Sequence, residues 1–173
     1  MHTPLSHHGR LAIEPIAPHD AAFVLDNARA LQRAAQCGEV RALLRGRNFG
    51  LMCEIDSNGD SASDSDAALF RRAAVELGAH VAHIRPSLTE LSTPQEVLRT
   101  ARMLGRLYDA VECQGMAAEL VHRLGANAGV PVYDAITSRH HPTAKLDGRL
   151  GGDSPALDKR RFVLQAVLLS TVA

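Results

Sequence analysis

The sequence predicts an α/β fold: a single doubly wound domain with a four-stranded, mainly parallel sheet flanked by helices on both faces. Three observations predict it. Short apolar runs at Asn48–Cys53, His80–Ile84, Asp109–Cys113 and Pro131–Ala135 alternate with longer segments of helical periodicity. Glycines at Gly78 and Gly129 stand where two of those helices should stop. The chain has 173 residues, of which 46% are hydrophobic, which is enough to fill the core of one ordinary domain but leaves little room for a second.

Taken in order, residues 1–19 carry prolines and histidines without periodicity and read as a flexible N-terminal arm. From Asp20, a candidate N-cap, Val24, Leu25, Ala28, Leu31 and Ala35 recur at three- and four-residue spacing, one face of a helix that Gly38 interrupts. A short turn, Glu39–Leu44, follows. The first strand then leads into a polar loop, Asp56–Asp66, and a helix from about Ala67 to Leu77. After the second strand, Thr93 and Pro94 are the N-cap and first residue of a helix running to Leu107. The third strand precedes a helix at Met116–Ala128. Leu146–Ser154 reads as a loop. Ser154 and Pro155 begin a last helix, 155–172, that is apolar nearly all round and therefore belongs in a core or an interface.

Composition excludes several functions. Nineteen charges of each sign give a formal net charge of zero, so the chain as a whole is no nucleic-acid binder. Aromatic residues at 3%, with no Trp, do not supply stacking platforms for single strands. Cys37, Cys53 and Cys113 form no CxxC pair and fit a reduced, cytoplasmic setting. No apolar run is long enough for a membrane, and no signal peptide is visible.

Ligands of doubly wound sheets lie beyond the carboxyl ends of the strands, here Cys53–Ser57, Ile84–Ser87, Cys113–Gly115 and Ala135–His141. No metal site or cofactor is expected. His2, His7 and His8 lie in the arm. His80 and His83 lie three apart on a strand, so they face opposite sides and chelate poorly. The Asp-rich loop opens like a calcium loop at Asp56, but Gly59 is fourth rather than sixth and Ala67 stands where a Glu is required. Cys53 and Cys113 read as buried strand cysteines, Tyr108 and Met103 as core or interface residues. Asp134 is left undecided. His141, next to His140 on a strand-end loop, is the best ligand-contacting candidate.

Four stretches together resemble the ornithine/aspartate carbamoyltransferase family. They are GRNFGLMCEIDS (Gly46–Ser57), TARMLGRLYDAVECQG (Thr100–Gly115), GVPVYDAITSRHHPTAKLDGRL (Gly129–Leu150) and DKRRFVLQAVLLSTVA (Asp158–Ala173). The first is similar to the strand entering the family's Ser-Thr-Arg-Thr-Arg loop. The third is similar to the strand ending in its His-Pro-x-Gln motif. The fourth resembles the helix that, in the family, returns from the second domain to the first. The resemblance implies the carbamoyl-phosphate-binding domain at 20–173, closed by its returning helix, with the second domain missing from between.

The same alignment shows what differs. The family grips its dianion with arginines and backbone N–H groups at a helix-opening loop, and with an arginine after the third strand. Here no Arg or Lys occurs between Arg47 and Arg71, Gln114 replaces the arginine after the third strand, and Ala144 replaces the glutamine of the His-Pro motif. The resemblance therefore implies a degenerate ligand pocket around Ser57, Asn58, Gly59, Gln114, His140 and His141. Two functions follow as expectations. One is a catalytically inactive binding or regulatory module. Such a module would be a homo-oligomer, a trimer by family likeness, or would join a full-length carbamoyltransferase. The other is a small-molecule binder or transferase of altered specificity around His141.

Overall fold

The computed structural model describes residues 17–39, 42–54 and 65–172. Helix α1 (Pro18–Gln36) is followed by β1 (Asn48–Met52), α2 (Asp66–Glu76), β2 (His80–Ile84), α3 (Pro94–Leu107) and β3 (Ala110–Cys113). Then come α4 (Ala118–Ala128), β4 (Val132–Asp134), a 3-10 helix (Pro142–Arg149) and α5 (Ala156–Val172). The four strands form one sheet in the order β2-β1-β3-β4, and every pairing is parallel. The chain winds outward from β1 to β2, then crosses back to β3, so β1 and β3 lie side by side at the point where the winding reverses. A crevice opens at their carboxyl ends.

Both faces of the sheet are covered, as parallel sheets require. On one face α1, α2 and α5 pack over Phe49, Leu51 and Tyr133. On the other, α3 and α4 pack over Met52, Val111, Cys113 and Val132. The last helix is buried from Phe162 to Leu168, contacting both α1 and α2, so its all-round apolarity is that of a core element. Two charged side chains join this apolar interior, Glu112 on β3 and Arg160 on α5.

Several boundaries move for physical reasons. Helix α1 begins at Pro18, so Asp20 lies in its first turn instead of capping it; proline at N1 has no N–H to leave unpaired. Pro18 and His19 thus belong to the helix and not to the arm, and residues 1–16, with His2, His7 and His8, lie outside the described residues. Ser65 caps α2 from one residue before Asp66, accepting from Ala68 N–H at 3.2 Å. The Thr93 cap is as the sequence indicates, with Glu96 completing a reciprocal box. Helix α4 begins at Ala118 rather than Met116, after Gly115 turns the chain at φ +70°. The stretch expected to be a loop, Leu146–Ser154, instead begins inside the 3-10 helix, which His141 caps by accepting from Thr143 N–H. The Ser57, Asn58 and Gly59 candidates, with the rest of the Asp-rich loop up to Asp64, lie outside the described residues.

Candidate functional site

The crevice is built from the strand ends. Cys53 and Glu54 leave β1, Gln114 leaves β3, and Asp134 leads β4 into the turn that carries His141. Beneath it, on β3, Glu112 is fully buried. An acid in the middle of the apolar run Ala110–Cys113 is costly unless its oxygens are engaged. Gln114 Nε2 donates to Glu112 Oε1 at 3.2 Å, and Ile136 N–H donates to Oε2 at 3.3 Å. Burial nevertheless pushes the Glu112 carboxyl up to about 8, against the downward pull of those donors. Burial raises the Asp134 carboxyl and the Cys53 and Cys113 thiols too, so neither cysteine is an activated nucleophile.

Gln114 also donates from Nε2 to Thr137 Oγ1 at 3.0 Å, tying the end of β3 to the turn after β4. The next residue back in that turn, Ile136, is held from the other side. Its carbonyl accepts from Arg160 Nη2, and Arg160 donates further to Thr143 Oγ1 at 2.9 Å and to Asp147 at 3.4 Å. Burial pulls the Arg160 guanidinium downward, and Asp147 opposes this. Thr143 Oγ1 stands 2.8 Å from His141 Nδ1, which also accepts from Thr143 N–H at 3.3 Å. Both contacts fix the orientation of the ring at Nδ1. His141 is thus a buried, oriented imidazole rather than a free base.

Of the sequence-predicted candidates, the structure joins Gln114 and His141 through the Ile136–Thr137 turn. His140 is separate from them: it is exposed, with its backbone N–H bonded to Ser138 Oγ at 3.2 Å. Sequence reasoning missed Glu112, Thr137, Thr143 and Arg160. The signals available were one acid inside an apolar strand and one arginine on the buried stripe of an apolar helix. Of the histidines of β2, His80 is exposed and His83 Nε2 is held 2.9 Å from the Cys53 carbonyl. Among the described residues no group of three or more His, Cys, Asp or Glu is placed to hold a metal.

A family model described as "Aspartate/ornithine carbamoyltransferase, carbamoyl-P binding domain" matches residues 10–147. The chain belongs to that family. The catabolic ornithine carbamoyltransferase of Chromobacterium violaceum is 37% identical over 130 residues, which is 75% of this chain and 37% of that protein. The ornithine carbamoyltransferase of Actinobacillus pleuropneumoniae serotype 5b is 37% identical over 72% of this chain and 35% of its own length. The chain thus spans little more than a third of these relatives. In fold, it superposes on the ornithine carbamoyltransferase of Burkholderia thailandensis with a TM-score of 0.65 at 21% identity, over 82% of this chain and 47% of that one. The four-stranded parallel sheet with helices on both faces is the carbamoyltransferase domain fold. No described helix is long and apolar enough to cross a membrane.

The crevice lies at the carboxyl ends of β1 and β3, where the winding reverses. Here it is a hollow of about 310 Å³ lined by Glu54, Thr89, Glu90 and Gln114 together with apolar residues, with no Arg, Lys or His among the described lining residues. A larger groove, of about 710 Å³, lies between α1, α2 and α5 and away from the strand ends.

Proposed function

We propose that this carbamoyltransferase-family domain is a non-catalytic binding or regulatory module, cytoplasmic and oligomeric, and a trimer by family likeness. The observation that carries the reading is the state of Gln114. It stands where the resemblance places an arginine, and its amide hydrogens are spent on Glu112 and Thr137. A phosphate dianion needs charge-assisted donors aimed at it, and a hydrogen bond already satisfied inside the protein supplies none. Losing even one donor to a developing oxyanion costs about 2.7–4 kcal/mol of transition-state stabilisation. Residues 143–155 alone separate the His-Pro pair from α5.

The test is direct. The chain is incubated with carbamoyl phosphate and ornithine, or aspartate, and carbamoylated product is measured. Thermal unfolding is followed with and without millimolar carbamoyl phosphate, and mass is measured by analytical ultracentrifugation. The expected result is an oligomer with no turnover and no thermal shift, since a ligand that binds the native state must stabilise it. Turnover, or a saturable upward shift, overturns the reading. The same assays with a full-length carbamoyltransferase added test whether this chain enters such an assembly as a subunit.

A second reading, a small-molecule binder or a transferase of altered specificity, is favoured by one observation. His141 is still buried at the carboxyl end of the sheet with its ring oriented by Thr143, in a contact that also caps the 3-10 helix. It predicts that a ligand of the crevice is lost on His141→Ala.

A further inference from the structure

The groove of about 710 Å³ between α1, α2 and α5 lies apart from the strand-end crevice. Ala30 and Ala34 of α1 leave it open, and Leu31, Leu77, Phe162 and Leu169 make its lining mainly apolar. Gln165 of α5 is the exception. It is only 3% exposed, and what it exposes lines the groove. Its Nε2 donates to the Ala73 carbonyl at 3.3 Å and to Glu76 Oε2 at 3.0 Å. A backbone carbonyl can only accept, so the amide cannot be turned the other way, and both its hydrogens face α2. Oε1 is left on the groove side, and among the described residues no group donates to it. Water can serve such an acceptor, but a ligand that displaces the water must bring a donor of its own.

The charges of the lining are unequally satisfied. Glu76 is held between two guanidiniums, accepting from Arg72 Nε at 3.0 Å and from Arg161. Arg161 is occupied further by Asp158 at 2.9 Å and lies over the Phe162 ring, 4.5 Å from its centroid. Glu39 is itself engaged. Arg33 is exposed at the rim and has no hydrogen-bond or ion partner among the described residues. Its place in the last turn of α1 suits the helix dipole, which by itself accounts for a basic residue there. The dipole does not account for a buried, undonated acceptor in the same apolar groove.

We propose that this groove binds an amphipathic monocarboxylate, with its carboxylate at Arg33, its apolar body over Phe162 and Leu169, and one N–H or O–H of that body donating to Gln165 Oε1. The volume falls within the range of small-molecule sites, roughly 300–1,000 Å³, and admits a bicyclic body. A second copy of this chain fits less well. A two-fold pair sets the same surface against itself, and two concave grooves do not fill each other. The proposal goes beyond the non-catalytic reading and is independent of it, because the groove shares no lining residue with the crevice.

The experiment uses the full chain, labelled at its leucine methyls, with indolepropionate as the probe. Two relatives of the probe separate the contacts. Its N-methyl derivative has no N–H, and tryptamine carries an ammonium in place of the carboxylate. The methyl signals of Leu31, Leu43 and Leu169 are followed by NMR. The expected result is a saturable shift with indolepropionate, binding at least about fivefold weaker for the N-methyl derivative, and no saturable shift with tryptamine. Arg33→Gln, at an exposed position, and Ala34→Leu, which fills the groove from the α1 side, should each weaken indolepropionate by at least about fivefold. No saturable shift with indolepropionate overturns the proposal. So does binding that N-methylation leaves undiminished, or that tryptamine or the Arg33→Gln protein matches. If the same signals move when the protein is diluted without the probe, a second copy covers the groove and the proposal falls. Either result leaves the reading of the crevice to its own assays.

Discussion

Arg160 Nη2 donates to Thr143 Oγ1 at 2.9 Å, and so the last helix of the chain holds the turn on which His141 is carried. The same guanidinium reaches the Ile136 carbonyl and Asp147, and it is almost wholly buried. A helix that merely covered the core would need only its apolar residues. This one also fixes the geometry of a loop at the carboxyl end of the sheet.

Replacing Arg160 with leucine should therefore cost more than a surface arginine would. It leaves Asp147 without its donor and the Ile136 carbonyl with only Thr143 Oγ1, at 3.4 Å, and breaking a buried pair from one side costs about 3–5 kcal/mol. Because Asp147 keeps some contact with water, the lower end is expected. Urea unfolding measures the loss. The imidazole resonances of His141 should broaden in the same variant, since Thr143 loses one of its anchors. A change below about 1 kcal/mol would show that α5 is held by packing alone.

At Gly105, α3 comes close to the end of α4. A Cβ at that position would stand 1.8 Å from the Ala128 carbonyl oxygen. Alanine is the better helix former by about 1 kcal/mol, so Gly105→Ala should stabilise an isolated helix. In this fold it must push two helices apart, and overpacking of that kind costs about 1–3 kcal/mol. The expected outcome is net destabilisation, read as a lower urea midpoint with an unchanged slope.

Ala135 is the one non-glycine residue at positive φ among the described residues, at +49°. It sits between β4 and the Ile136–Thr137 turn, with its N–H bonded to the Cys113 carbonyl at 2.9 Å. Left-handed backbone costs a residue with a Cβ about 1–2 kcal/mol. Ala135→Gly relieves this but adds unfolded-state entropy, so stability should change by no more than about 1 kcal/mol, upward. Ala135→Val should destabilise clearly, because a β-branched residue tolerates that conformation least. Equal stability of the two variants would show that the turn has relaxed.

Much of the fold was legible in the sequence because its signals are local. The Thr93-Pro94 start of α3 and the His80–Ile84 strand depend on capping and on a short apolar run, and both stand where the sequence puts them. The 3-10 helix at Pro142–Arg149 was not legible. Its start depends on the His141 side chain as cap and on Arg160 holding Thr143, contacts between residues far apart or unremarkable in pattern. The candidate site divides the same way. Gln114 and His141 were visible from motif positions, whereas Glu112 and Arg160 matter only because the sheet and α5 bury them. A single polar letter in an apolar run gives no sign of whether it finds a partner. Ser57, Asn58 and Gly59 remain expectations from the resemblance.

Glu112 makes stability depend on pH in a definite direction. Its carboxyl is pushed up to about 8 in the folded protein, against the ordinary 4.5 once unfolded. The folded state then holds a proton that the unfolded state has released, throughout the window between those values. Stability from this group is fully present below about 4.5 and is lost as pH rises toward 8, by at most about 5 kcal/mol. Asp134 and Asp147, raised by burial, act in the same direction at lower pH and are common to any Glu112 variant. Glu112→Gln removes the titration but offers one acceptor where the carboxyl offers two, so it should be the less stable at pH 5 and should gain on wild type toward pH 8.5. Urea unfolding of both proteins across that range measures the difference. Parallel curves would mean that Glu112 holds the same number of protons folded and unfolded, and that the donors from Gln114 and Ile136 fully offset its burial.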